Sequence, residues 1–90
     1  MKYQYEIRQI EAWADIDGWT WNDSYHIGNF STHAENHKRD FLNALHNLGV
    51  VCKRGACYVD YDGSIYELRR RGTHEPLFAA IPVPAVNGKV

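Results

Sequence analysis

Two Asp-Gly dipeptides, each set between segments that alternate apolar and polar residues, constrain this 90-residue chain most. Asp17-Gly18 divides the first thirty residues, and Asp62-Gly63 divides "ACYVDYDGSIYELRRR". Asp-Gly favours the positive φ angles of a two-residue type I′ turn, which joins antiparallel strands tightly. The sequence therefore predicts two β-hairpins.

A two-residue loop at Asp17-Gly18 fixes the register of the first hairpin. The expected pairs are Ile16 with Trp19, Ala14 with Trp21, Ile10 with Tyr25, and Tyr5 with Phe30. In this register the apolar residues change face near residues 8–9 of one strand and 28–29 of the other. Strict alternation changes face only if an extra residue is inserted, so we predict a β-bulge at that level.

Residues 33–48 show the spacing of an amphipathic helix. The apolar face consists of Ala34, His37, Phe41, Leu45 and Leu48, at intervals of three and four. Ser31 or Thr32 is the expected N-cap. Gly49 follows where a left-handed residue ends a helix. With only one apolar face, the helix is expected to pack on a sheet.

The second hairpin and a last strand complete the predicted fold. A two-residue turn at Asp62-Gly63 places one set of side chains on a common face: Cys57, Val59, Tyr61, Tyr66 and Leu68. A last strand over residues 77–81 is expected to end there because Pro82 offers no N–H to a ladder. The order β-β-α-β-β-β predicts an α+β domain over residues 1–84, with one helix on an antiparallel sheet and a flexible tail at 85–90.

Composition limits the classes of protein to which this chain could belong. Ninety residues, 44% of them hydrophobic, suffice for one core. No apolar run is long enough to span a bilayer, and the first residues lack the apolar centre of a signal peptide. Two cysteines are too few for a disulfide-stapled secreted scaffold. We expect a cytoplasmic protein without membrane contact or cofactor; the oligomeric state stays open.

Charge is unevenly distributed along the chain, although the formal net charge is only -1. Residues 1–35 hold two basic and six acidic residues, whereas residues 36–90 hold eight basic and five acidic. The basic residues Lys53, Arg54, Arg69, Arg70 and Arg71, joined by Lys38 and Arg39 of the helix, could form a patch that contacts nucleic-acid phosphates. Nucleic-acid binding is therefore one alternative function. The alternative interpretation is a solvated loop that protects a sheet edge.

Histidines and cysteines raise a second alternative, a zinc-stabilised domain. His33 and His37 lie one helical turn apart, and Cys52 and Cys57 form a C-x4-C pair. The same residues fit ordinary packed positions, since His37 and Cys57 fall on apolar faces. The sequence contains no nucleophile elbow, phosphate-cradling loop or HExxH motif. We therefore expect neither a catalytic residue nor an enzyme.

Three tryptophans near the first predicted turn favour protein binding. Alternation leaves Trp13, Asp15, Trp19 and Asp23 as the candidate partner-binding residues. Aromatic side chains commonly anchor protein interfaces. The competing interpretation is that all three tryptophans belong to the core of a small domain. The expected function is accordingly non-enzymatic binding, most directly of another protein.

The segments "GWTWNDSYHIGNF", "VVCKRGACYVDYDGSIYEL" and "EPLFAAIP" together resemble small uncharacterised proteins of bacterial phages and integrative mobile elements. The resemblance covers nearly the whole chain and implies no catalytic residue. It implies an accessory or host-interaction role. Some small phage proteins of similar size and acidity occlude a host defence nuclease, as anti-CRISPR proteins do. One role that the resemblance implies is therefore inhibition of a host defence system.

Overall fold

The computed structural model describes residues 2–33 and 35–83, and these form one antiparallel five-stranded sheet with one α-helix. The elements are β1 (Lys2–Ile10), β2 (Ser24–His33), α1 (His37–Asn47), β3 (Cys57–Tyr61), β4 (Tyr66–Arg70) and β5 (Pro76–Pro82). The spatial order is β2-β1-β5-β4-β3. The α+β class and the chain order β-β-α-β-β-β are thus confirmed. The tail predicted at 85–90 lies outside the described residues.

One face of the sheet packs against α1 and forms the apolar core. Phe41 and Leu45 point from the helix onto Ile7 of β1 and Leu68 of β4, and all four side chains are buried. Tyr5 stacks on Phe30 with ring centroids 5.2 Å apart. Phe41 and Leu45 belong to the helical face predicted from spacing, and their burial confirms that face at these two positions. Apolar burial is the dominant favourable term in folding.

The helix starts later than the sequence predicts. Its N-cap is Asn36, whereas residues 31–33 continue β2 and pair with residues 2–4 of β1. The ladder therefore uses the residues expected to cap the helix, and the fully buried Thr32 instead donates its hydroxyl hydrogen to Asp40 at 2.7 Å. At the other end Gly49 has φ 90°, and Val50 N–H donates to the Leu45 carbonyl at 3.0 Å. The predicted C-terminal stop is confirmed.

The bulge predicted in the first strand pair is present. Tyr5 pairs with Phe30 as expected, but the register shifts between Ile7 and Arg8 because Ile27 is an extra residue in β2. Beyond the shift, Ile10 faces Ser24 rather than Tyr25. The predicted pairing is thus right on one side of the bulge and wrong by one residue on the other.

The tight turn predicted at Asp17-Gly18 is wrong. β1 ends at Ile10 and β2 begins at Ser24, so residues 11–23 form a long connection instead of two extended strands. Gly18 does not adopt the positive φ that a type I′ turn requires. The reason is tertiary: this connection, which we call the tryptophan loop, folds back over the face of the sheet opposite α1.

The second hairpin keeps its predicted faces but not its register. Tyr61 pairs with Tyr66, so four residues rather than two separate the strands, with Gly63 at φ 99°. A shift of two positions leaves every side chain on its predicted face because the strand period is two. The last strand ends at Pro82, one residue beyond the expected end. No helix among the described residues is long and apolar enough to cross a membrane.

Candidate binding site on the open face of the sheet

The face of the sheet opposite α1 carries charged side chains that are largely buried. Arg8 is 7% exposed and donates from Nη1 to Glu6 at 2.9 Å. Its Nε donates to the Ser24 hydroxyl at 2.7 Å and its Nη2 to the Ser24 carbonyl at 2.8 Å. A buried arginine is tolerated when its donors are satisfied in this way. Arg8 therefore ties Ser24, at the start of β2, to the sheet face opposite α1.

A second pair, Glu67 and Arg69 of β4, repeats this arrangement across the central strand β5. Arg69 donates from Nε and Nη2 to one oxygen of Glu67, at 3.1 and 2.9 Å. Its Nη1 donates to the His74 carbonyl at 2.7 Å and lies 3.5 Å from the Ile16 carbonyl of the tryptophan loop. The other Glu67 oxygen accepts the indole N–H of Trp19. The charged pairs thus hold the loop on the sheet.

Two of the predicted partner-binding residues, Asp15 and Asp23, accept hydrogen bonds from backbone N–H groups of the tryptophan loop. The side chain of Asp15 accepts the N–H of Asp17 at 3.0 Å, and that of Asp23 accepts the N–H of Thr20 at 2.7 Å. Asp23 closes a capping box at the start of a short 3-10 turn, Trp21–Asp23. Asp15 and Asp23 therefore shape the loop.

The three tryptophans have different environments. Trp19 is partly buried against Glu67, whereas Trp13 is 67% exposed and Trp21 is 52% exposed. The guanidinium carbon of Arg8 lies 3.6 Å from the ring centroid of Trp21, a cation–π contact that fixes the ring. Strand alternation predicts Trp21 on a packed face and leaves Trp19 among the partner-binding candidates. The structure instead exposes Trp21 and partly buries Trp19, because residues 11–23 are not extended.

Beside Trp19 and Trp21 lies a cleft of about 490 Å³, which we call the acidic cleft. Among the described residues its wall contains Trp19, Trp21, the basic Arg69 and the carboxylates of Asp17, Asp60, Asp62 and Glu67. Arg69 is the one cation of this wall among the described residues, and it pairs with both Glu67, at 2.9 Å, and Asp60, at 3.8 Å, so four carboxylates face a single cation. A positively charged group is favoured in such a cleft by the excess of carboxylates.

Two carboxyl groups on or near this face have lowered pKa values. Burial alone would raise the pKa of Glu6, but hydrogen bonds from His26 and Arg8 outweigh it and hold the pKa below its ordinary value. Backbone N–H groups of Ile65 and Ser64 lower the pKa of Asp62. Both groups therefore remain negative at neutral pH.

The basic patch predicted from Lys53, Arg54, Arg69, Arg70 and Arg71 is divided by the sheet. Arg69 faces the acidic cleft, and Arg70 pairs with Glu75 at 3.3 Å. Lys53, Arg54 and Arg71 line a different cleft, near α1. Alternation along β4 is the cause, since Arg69 and Arg70 must point to opposite faces.

The alternative zinc site is not formed, because the described residues contain no group of three or more His, Cys, Asp or Glu side chains placed to bind a metal ion. His37 lies instead among Tyr3, Tyr5 and Tyr66, with its Nδ1 2.9 Å from the Tyr5 hydroxyl. Cys52 and Cys57 are free thiols. Burial and the neighbouring Cys57 raise the pKa of Cys52 to about 11.

Sequence reasoning missed Arg8, Glu67 and the role of Arg69 in this site. A signal was present: the tripeptides Glu6-Ile7-Arg8 and Glu67-Leu68-Arg69 share the pattern of an apolar residue between opposite charges. In a strand this pattern directs the apolar residue to one face and an ion pair to the other. The fold places both patterns in one sheet, with the charges on the open face.

Comparisons of the chain with protein-family models, with curated proteins and with solved structures give no match.

Proposed function

We propose that this protein is a non-enzymatic binding protein, whose tryptophan loop and acidic cleft dock a partner protein. The observation that carries the proposal is the exposed ring of Trp21 in the wall of a cleft rich in carboxylates, with a second exposed ring, Trp13, in the same loop. Exposed aromatic side chains on a rigid support lose little conformational entropy on binding, which suits them as interface anchors. Contacts of Arg8, Arg69 and Trp19 provide that support.

The charge of the cleft defines the chemistry of the partner. Asp17, Asp60 and Asp62 favour a lysine or arginine side chain, and the indole rings of Trp19 and Trp21 line the same cleft. The partner surface is therefore basic at the point that enters the cleft. The pathway rests on the sequence resemblance alone: a phage or mobile-element accessory protein directed at the host, including inhibition of a host defence system.

The proposed contact residues differ in part from those predicted from the sequence. Trp13 stays in the proposed interface and Trp21 joins it, while Trp19 forms the wall of the cleft. Asp15 and Asp23 contribute by shaping the loop. Asp17 and Asp60 become the acidic contacts.

A capture experiment with matched variants tests the proposal. The immobilised protein is incubated with nuclease-treated lysate of its source cell, beside the double variants Trp13→Ala/Trp21→Ala and Asp17→Asn/Asp60→Asn. The control is Leu42→Ala/Val51→Ala, which removes two exposed apolar side chains away from the loop. We expect a protein retained by wild type and control but reduced at least about tenfold in both loop-face variants. Equal retention by all four folded proteins, or loss of capture on nuclease treatment, contradicts the proposal.

A further inference from the structure

A second cleft, of about 350 Å³, lies on the helix side of the sheet between α1, β3 and residues 52–55. Among the described residues its wall contains four cations and no carboxylate: Lys38, Lys53, Arg54 and Arg71. We call it the basic cleft. Its charge is opposite to that of the acidic cleft on the other face.

The four cations of the basic cleft form no salt bridge with any carboxylate of the described residues, whereas Arg8, Arg39, Arg69 and Arg70 each do. Arg71 is nevertheless held in place, because its Nε donates to the Gly55 carbonyl at 2.9 Å. Four like charges that converge on one cleft repel one another, and an anion relieves that repulsion. The cleft is therefore suited to a ligand with more than one negative charge.

Apolar side chains also line the cleft, among them Leu42, Val59 and Leu68. A cavity of this size lined by apolar side chains and a few charged groups is typical of small-molecule sites. Lysine and arginine both bind phosphate through charge-assisted hydrogen bonds.

Distribution of the other arginines argues against a long nucleic-acid strand. Strand binding requires cations along a track, but Arg69 lies on the opposite face and Arg70 is paired with Glu75. Four of the cations that form no salt bridge among the described residues are instead gathered around one cleft. We propose that the basic cleft binds a small organic phosphate of nucleotide size, with phosphates at Lys38, Lys53, Arg54 and Arg71 and the organic part over Leu42, Val59 and Leu68.

Calorimetric titration with ADP, adenosine, inorganic pyrophosphate and a thymidine oligonucleotide tests the proposal. We expect ADP to bind, pyrophosphate to bind more weakly, and adenosine not to bind. Lys53→Ala/Arg54→Ala should weaken ADP binding at least about tenfold. The matched control Lys2→Ala/Arg39→Ala removes the same charge elsewhere and should change it less than about threefold.

A second readout uses Cys52, which lines the basic cleft. Bound ADP should slow alkylation of Cys52 in the wild-type protein, whereas adenosine should leave the rate unchanged. Absence of both heat and protection with ADP overturns the proposal, as does equal binding of ADP and adenosine. Tighter binding of the oligonucleotide than of ADP overturns it in favour of a nucleic-acid strand. Failure here leaves the capture experiment on the opposite face unaffected.

Discussion

The two faces of the sheet are buried by different means. Against α1, burial is apolar: Ile7 and Phe41 are fully inaccessible and touch other hydrophobic side chains. Under the tryptophan loop, buried ionic groups join the apolar Ile10 and Ala79: Arg8 and Glu67 are nearly inaccessible among hydrogen-bond partners. The apolar face gains free energy roughly in proportion to area, whereas ion pairs offset their own desolvation. The helix face thus contributes most of the stability, and the ion pairs of the loop face hold the tryptophan loop in place.

Truncation of the apolar core should have the largest effect on stability. Phe41→Ala removes a ring that is 0% exposed and should lower the free energy of unfolding by about 3–4 kcal/mol. Its neighbour Leu42 is 39% exposed, so Leu42→Ala should cost less than about 1 kcal/mol. Urea unfolding followed by circular dichroism measures both. Similar losses would mean that α1 is not packed as described.

Removal of the buried arginine should have a smaller effect. Arg8→Ala removes the donors to the Ser24 hydroxyl and carbonyl and one of the two hydrogen-bond partners of Glu6, and should cost about 2–3 kcal/mol. Arg39→Ala breaks an exposed pair with Asp40 and should cost less than about 0.5 kcal/mol. The same unfolding assay applies. If Arg8→Ala is as mild as Arg39→Ala, the loop face is not held by ionic contacts.

A conservative tryptophan substitution isolates one hydrogen bond of the loop. Trp19→Phe keeps an aromatic ring but removes the N–H that Glu67 accepts, and should cost about 1 kcal/mol. Trp13→Phe should change stability by less than about 0.5 kcal/mol because Trp13 is largely exposed. Thermal unfolding distinguishes the two variants. A larger loss for Trp13→Phe would reverse the assigned environments.

How much of this contrast could be predicted depends on which contacts fix each element. The helical face at Phe41 and Leu45 follows from local spacing, and the stop at Gly49 follows from one residue. The faces of β3 and β4 survived a wrong turn length because the error was an even number of residues. Such features depend on residues close together in the sequence and can therefore be predicted from it.

The tryptophan loop could not be predicted in the same way. Trp19 is placed by Glu67, 48 residues away, and Trp21 by Arg8, 13 positions earlier and on another strand. The contact of Trp19 with Glu67 requires β1, β5 and β4 to lie side by side in the sheet. The Asp-Gly signal at 17–18 is a local preference, and tertiary contacts override it. The sequence therefore exchanged the environments of Trp19 and Trp21, whereas Trp13 is exposed as expected of a candidate contact residue.

Acid should weaken the loop face through Glu6, and this is the smallest expected effect. Because the folded-state pKa of Glu6 lies below its unfolded value, its contribution is complete above the unfolded pKa of about 4.3 and is lost as pH falls through the folded pKa. Wild type should therefore exceed Glu6→Gln in stability at neutral pH, and the difference should narrow in acid. Unfolding curves over a pH series measure this. A stability difference between the two proteins that stays constant with pH would show that ionisation of Glu6 does not stabilise the loop face.

The central claim is that the loop face, and not the helix face, meets the partner protein. Hydrogen–deuterium exchange of the protein, alone and with the partner isolated by capture, tests it most directly. We expect slower exchange in the tryptophan loop and around Asp60 and Asp62, with α1 unchanged. Protection confined to α1, with the loop exchanging as in the free protein, would contradict the account.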